Sequence, residues 1–320
     1  MSPIPFVTLD DPHYGEAVRV SPLIRRVIAR NPSKYTYLGT GTYIVGHGDV
    51  AVIDPGPIID GHRDALAAAL VGETVRTIVV THCHGDHSPL AAWLKETTGA
   101  PTVAFGPHGA VDDEPDEPDP EDVSPADEAE QPDAHDEPKE TVDLAFDPDV
   151  RVADGDVAAT GPGYTLRAVH TPGHTSNHLC VALDEERALF TGDHVMGWST
   201  TIVSPPDGDM RAYVDSLRKV QGRSDETLWP THGAPVTDPA PFLQAYLDHR
   251  LEREAQVLEM VRAGVGKIVD IVDVLYADVK PELHKPARRS VLAHLTKLVD
   301  DGQVACDTAR PRARSHYTPA

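Results

Sequence analysis

Thr81-His82-Cys83-His84-Gly85-Asp86-His87 constrains this chain more than any other segment. Imidazole and carboxylate are the donors preferred by zinc and its neighbours, and this run packs three histidines and an aspartate into six positions, 82–87. On an extended loop, ligands two residues apart can point into one site while the next pair reaches a second ion. The loop follows a short β-branched run at residues 76–80 and precedes a helix that Ser88 and Pro89 are expected to start and Gly99 to stop. The cluster is thus predicted to sit between a strand end and a helix start, where rigid elements commonly position catalytic groups.

Three later segments repeat the pattern. Thr171-Pro172-Gly173-His174-Thr175, Phe190-Thr191-Gly192-Asp193-His194 and Pro230-Thr231-His232-Gly233 each place a metal-binding residue in a turn after a predicted strand. Singly they would be weak signals. Together they predict a site assembled at strand ends from distant parts of the chain.

The rest of the pattern fits an α/β domain. Residues 43–54 read as two strands joined at Gly46-His47-Gly48-Asp49, and residues 62–70 as a helix. Strands are predicted at 165–169, 178–183 and 188–191, the last two flanking Asp184-Glu185-Glu186-Arg187, and a short one ends at Leu228-Trp229. A helix over 209–220 should be capped by Asp209 and closed by Gly222. From about Pro239 the character becomes helical: 242–261, a second helix around Ile268, Ile271, Val272 and Leu275, and a third marked by Val291, Leu292, Leu295, Leu298 and Val299. Gly302 ends the third, and residues 303–317 can form a two-stranded wing. We therefore expect a catalytic domain at 1–238 and a winged-helix domain at 239–320.

Charge needs dissecting before it is used. Residues 112–140 hold fifteen acids, one lysine and six prolines, and account for −14 of the formal −23. Such a segment cannot bury a core and is expected to be mobile. Residues 280–320 lean the other way, with eight Lys or Arg against four acids, a patch suited to phosphate contacts. The three cysteines, Cys83, Cys180 and Cys306, form no paired motif. No signal-like start or membrane-length apolar run is seen, so a cytoplasmic location without a membrane partner is expected.

The ordered ligand motifs resemble those of the metallo-β-lactamase superfamily, whose signature is His-x-His-x-Asp-His with three downstream ligands. The resemblance implies an αβ/βα sandwich with the site at one edge of two packed sheets. It implies that His82, His84 and His174 hold one metal, that Asp86, His87 and His232 hold a second, and that Asp193 bridges them. It further implies two Zn2+ per chain, a bridging hydroxide as nucleophile, Asp86 and Asp193 as catalytic carboxylates, and Asp54 as a brace for the ligand loop. His178 and Asp86 are the candidate proton donors to the leaving group.

Asp193 argues against a dedicated β-lactamase, in which a cysteine or no ligand takes the bridging position. The 39-residue spacing from Asp193 to His232 leaves no room for the large insertion of the β-CASP nucleases. With Arg30-Asn31-Pro32-Ser33, residues 38–43, residues 249–254 and the winged helix, the chain is most similar to β-lactamase-like endoribonucleases and their bacterial relatives. One departure is Pro230-Thr231-His232, where Pro-Gly-His is usual. The leading expectation is a dinuclear-metal hydrolase of the endoribonuclease-like, winged-helix branch, acting on a small molecule or single-stranded RNA. The alternative is a small-molecule ester, thioester or lactone hydrolase with β-lactamase side activity. No obligate protein partner is evident.

Overall fold

The computed structural model of the chain describes residues 4–109, 141–280 and 283–320. The acidic segment 112–140, expected to be mobile, lies outside the described residues. A seven-stranded sheet is built from neighbours in chain order: β1 (Val18–Arg19), β2 (Ile24–Ile28), β3 (Gly41–His47), β4 (Asp49–Ile53), β5 (Thr74–Val79), β6 (Thr102–Ala104) and β7 (Val150–Arg151). A five-stranded sheet likewise runs through β8 (Val157–Gly161), β9 (Tyr164–His170), β10 (Leu179–Leu183), β11 (Ala188–Gly192) and β12 (Thr227–Pro230).

Side chains alternate across a strand, and here both faces are apolar. Tyr43, Val45, Ala51 and Ile53 point into the sandwich against Leu166, Ala168, Val181 and Phe190 of the second sheet. Their neighbours Ile44, Val50 and Val52 point outward and pack on Leu66 of α1 (Asp60–Ala69) and Ala91 and Leu94 of α2 (Leu90–Thr98). The outer face of the second sheet, with Cys180, Ala182 and Leu189, is covered by Tyr213 and Leu217 of α3 (Met210–Gln221) and by Phe242 and Tyr246 of α4 (Pro239–Arg262). This is the αβ/βα layering expected from the sequence.

Strand direction decides where the loops gather. β4 runs parallel to β5, and β11 runs parallel to β12. β9 and β11 are each antiparallel to β10, hence parallel to one another. The chain therefore leaves β4, β5, β9, β11 and β12 at one edge of the sandwich, and every ligand motif lies just beyond one of these exits. Backbone bonds stitch the two sheets together there: Leu179 N–H donates to Thr81 O at 2.8 Å and Gly41 N–H to Thr231 O at 2.9 Å.

Beyond α4 come α5 (Ile268–Leu275), α6 (His284–Asp300) and an antiparallel pair, β13 (Val304–Cys306) with β14 (Tyr317–Pro319). This is a winged helix. The helix α4 belongs to both halves. Its first turns carry Phe242, Leu243 and Tyr246 into the sandwich core, while Val257, Leu258 and Val261 pack with Ile271, Val291, Leu295 and Tyr317. No helix among the described residues is long and apolar enough to cross a membrane.

One local expectation fails. Ser88 does not cap α2: its hydroxyl donates to Asp143 Oδ2 at 2.8 Å, a partner 55 residues away that local pattern cannot reveal. The other end behaves as expected, with Gly99 at φ +73° donating to Lys95 O. Asp209 caps α3 by accepting from Ala212 N–H at 2.8 Å.

Because α4 is shared, the two halves should unfold together. Leu295, fully buried in the C-terminal core, is a clean probe: Leu295→Ala should cost about 2–5 kcal/mol. The three tryptophans, Trp93, Trp198 and Trp229, all lie before α4, so their fluorescence reports the sandwich and far-UV dichroism reports the helices. Coincident transitions that shift together in the variant are expected. Two separated transitions would show that the halves are independent.

Candidate metal centre

The exits from β5, β9, β11 and β12 bring all seven sequence-predicted residues together. His82, His84, His174 and Asp193 form one group and Asp86, His87 and His232 another, with the donor atoms in each within 4.8 Å of one another. In the first group His84 Nδ1 lies 3.0 Å from His82 Nε2 and 3.1 Å from His174 Nε2. In the second, Asp86 Oδ2 is 3.5 Å from His87 Nε2 and 3.3 Å from His232 Nε2. Asp193 faces both: its carboxylate stands 3.9 Å from His174 Nε2, 3.5 Å from His87 Nε2 and 3.3 Å from His232 Nε2.

The surroundings decide what these groups can do. Four imidazoles have their outer nitrogen engaged by a fixed oxygen. His87 Nδ1 meets Asp54 Oδ2 at 2.9 Å, His174 Nδ1 meets Ile202 O at 2.7 Å, His232 Nδ1 meets Gly39 O at 3.2 Å and His82 Nδ1 meets Thr81 Oγ1 at 3.0 Å. A proton held on the outer nitrogen leaves the inner one with its lone pair directed into the cluster, the arrangement a metal ligand requires. Inside the cluster, His87 Nε2 and Asp193 Oδ1 are buried without a hydrogen-bond partner. Orphaned buried polar atoms are expensive, and here a divalent cation would satisfy both. The residues present therefore fit a metal pair.

Electrostatics divides the two groups. Burial, reinforced by neighbouring imidazoles, holds His82 and His84 well below the ordinary histidine pKa, so both are neutral. Burial also opposes charge on His87, yet Asp86, Asp193 and Asp54 outweigh it and raise its pKa well above the usual value. His232 is pushed up to about 10 by Asp193 and Asp86, again against burial, so a proton takes the inner nitrogens of this pair until a cation displaces it.

Asp54 braces the loop, as the resemblance implied. It is fully buried, sits at φ +49°, and accepts from Thr81 N–H and Thr81 Oγ1 at 2.8 Å each, from His87 Nδ1, and from Thr231 Oγ1 at 3.3 Å. The last contact accounts for the departure at Pro230-Thr231-His232: the threonine adds a hydroxyl to the brace that glycine lacks. Gly173 permits the turn carrying His174. It adopts φ +136°, and a Cβ there would lie 2.3 Å from Tyr213 Cα.

His178 is not a free proton donor. Its Nδ1 lies 2.9 Å from Thr171 Oγ1, and Nε2 accepts from Asp193 N–H at 3.2 Å, so it is a wall residue that positions the Asp193 backbone. Several supporting residues had no role assigned from the sequence. Thr40 Oγ1 donates to Asp86 Oδ2 at 2.7 Å and is itself held by Asn31. Thr201 Oγ1 donates to Asp193 O at 2.8 Å, while Thr201 N–H donates to Tyr246 Oη at 2.7 Å and Thr201 O accepts from Arg250. Asn31, Thr40 and Arg250 fall inside the motifs that carried the family resemblance; nothing local marked Thr201. A cavity of about 200 Å3 opens over Asp86, His174, Asp193 and His232, walled by Tyr35, Ile59, Met196 and Ile202.

Comparison with known proteins agrees with this geometry. Residues 37–232 match the metallo-beta-lactamase superfamily, and residues 268–310 match the beta-lactamase associated winged helix domain. The chain belongs to the metallo-beta-lactamase superfamily and is a hydrolase of that superfamily with a C-terminal winged-helix domain. It is 31% identical over 307 residues to an atrochrysone carboxyl ACP thioesterase of Aspergillus chevalieri, covering 92% of this chain and 86% of that one. It is 28% identical over 297 residues to a beta-lactamase-like protein 2 homolog of Caenorhabditis elegans, covering 91% and 89%. A beta-lactamase domain protein from Burkholderia ambifaria shares the fold with a TM-score of 0.73 at 19% identity, covering 97% of this chain and 95% of that one.

Removing the brace should loosen the cluster without deleting a donor that faces it. Asp54→Ala should weaken metal retention about 10- to 100-fold, read by competition with a chromogenic chelator. Asp193→Ala, whose carboxylate faces both groups, should lose more. Equal losses from the two would contradict this division of labour.

Proposed function

We propose that the protein is a dinuclear zinc hydrolase of acyl thioesters, with residues 1–238 as its catalytic domain and 239–320 as an accessory winged helix. In this reading His82, His84 and His174 hold one ion, Asp86, His87 and His232 the other, and Asp193 bridges them. The observation that carries the reading is the pairing of this donor set with near-full-length relatives named as acyl-carrier-protein thioesterases, at 30–31% identity. These names support the small-molecule ester and thioester alternative better than the single-stranded RNA expectation.

A metal pair supplies, when bound, a water activated near neutral pH and a Lewis acid for the carbonyl oxygen. The chain's own residues do the rest. Asp86, oriented by Thr40, and Asp193, oriented through His178 and Thr201, fix the carboxylates at the cavity floor. Tyr35, Ile59 and Met196 wall the cavity and shelter the reacting carbonyl from bulk water. The leaving group also favours a thioester. With both ring nitrogens engaged, His178 is not a proton donor to the leaving group. A thiol of ordinary pKa about 8.5 departs as thiolate without one, whereas an alkoxide or amine must be protonated.

The test is a panel on the metal-loaded enzyme: acyl-N-acetylcysteamine thioesters, nitrocefin and single-stranded RNA, each with Asp193→Ala as control. Thioester hydrolysis should exceed the other activities by orders of magnitude in kcat/KM and collapse in the variant. RNA cleavage that dominates the panel would restore the nuclease expectation.

A further inference from the structure

A second cavity, of about 370 Å3, begins at the metal centre and ends on the winged helix. His84 and His174 stand at one end, and Arg288 and Arg289, successive residues of α6, at the other. Ile202, Pro206 and Leu292 give its wall apolar surface, beside the hydroxyls of Thr175 and Ser204. Its carboxylate, Asp207, accepts from Ser176 N–H at 2.9 Å and lies 3.7 Å from His108 Nδ1, so it is committed to the sandwich side of the cleft. A cleft of this kind asks for a ligand with a scissile bond at one end, an uncharged arm, and an anion at the far end. Two arginines in one lining suit a phosphate in particular, since a guanidinium carries planar, paired donors.

We propose that this cleft is a subsite for the 4′-phosphopantetheine arm of the thioester, with Arg288 and Arg289 holding its phosphate while the thioester carbonyl reaches the metal centre. The assignment rests on the thioesterase reading above. The winged helix then takes part in substrate recognition, because α6 sets the distance between the phosphate and the bond to be cut. The arm is common to acyl carrier proteins and to coenzyme A, and its phosphate is the shared recognition element.

The test compares one acyl group on four carriers, pantetheine, 4′-phosphopantetheine, coenzyme A and a carrier protein, with the full-length metal-loaded enzyme. The readout is the ratio of kcat/KM for the phosphopantetheine thioester over the pantetheine thioester, measured within each protein so that partial misfolding cancels. The native enzyme should prefer the phosphorylated arm by about tenfold or more. The preference should vanish in Arg288→Ala/Arg289→Ala and return in part in the corresponding Lys pair. Higher activity on coenzyme A or on the carrier protein then identifies the source of the arm. A ratio near one in the native enzyme, or a ratio unchanged by the substitutions, overturns the proposal. If no thioester is hydrolysed, the thioesterase reading fails, and the subsite is judged by direct binding of 4′-phosphopantetheine. Binding that is absent or indifferent to the arginines overturns the subsite as well, and arginine-dependent RNA binding in its place assigns the cleft to nucleic acid.

Discussion

A single buried carboxylate holds the site together. Asp54 has no exposed surface, and its oxygens are met by Thr81 N–H, Thr81 Oγ1, His87 Nδ1 and Thr231 Oγ1. A buried charge is costly unless its lone pairs are filled. Here the donors that fill them come from the loop after β5 and the loop after β12, so the requirement to satisfy Asp54 draws the two sheets into register at the edge where the ligands converge. Thr81 also accepts Leu179 N–H through its carbonyl, which ties the same corner to β10. Removing this carboxylate would take from Thr81, His87 and Thr231 the acceptor they share, while Thr40 would still hold Asp86.

The second support comes from the C-terminal half. Tyr246 and Arg250 of α4 grip Thr201, whose hydroxyl fixes the Asp193 carbonyl, and the next residue, Ile202, accepts His174 Nδ1. The guanidinium of Arg250 also lies over the Tyr213 ring at 5.1 Å. The segment from Asp193 to Val203 is thus clamped between the His/Asp cluster and α4. The C-terminal half meets the His/Asp cluster twice, through this clamp and through the cavity that His84 and His174 line together with Arg288 and Arg289.

What was legible in the sequence follows a physical rule. The residues that converge were readable because their chemistry is unusual at close spacing: His82 to His87 announce themselves within one loop, and His174, Asp193 and His232 each follow a strand and adjoin a glycine. Strands and helices were readable because burial on one or both faces leaves a periodic trace, as in Val291, Leu292, Leu295 and Leu298. Ser88 misled because a hydroxyl before a helix can cap it or can bond elsewhere, and Asp143 won by tertiary approach. Thr201 and Tyr246 were silent because their partners lie across the fold and hydroxyl residues are common everywhere. The substrate class was least legible. Local pattern cannot show that Arg288 and Arg289 line one cavity with His84 and His174, and basic residues at 280–320 suit any phosphate.

The proposed site is a single centre in which seven side chains hold two ions. Its most direct test is the metal content of protein purified without chelator and then supplemented with zinc, read by elemental analysis and located by anomalous scattering. The account predicts two ions per chain, one among His82, His84 and His174, the other among Asp86, His87 and His232, with Asp193 between them. One ion or none after supplementation, or two ions that do not share Asp193, would contradict it.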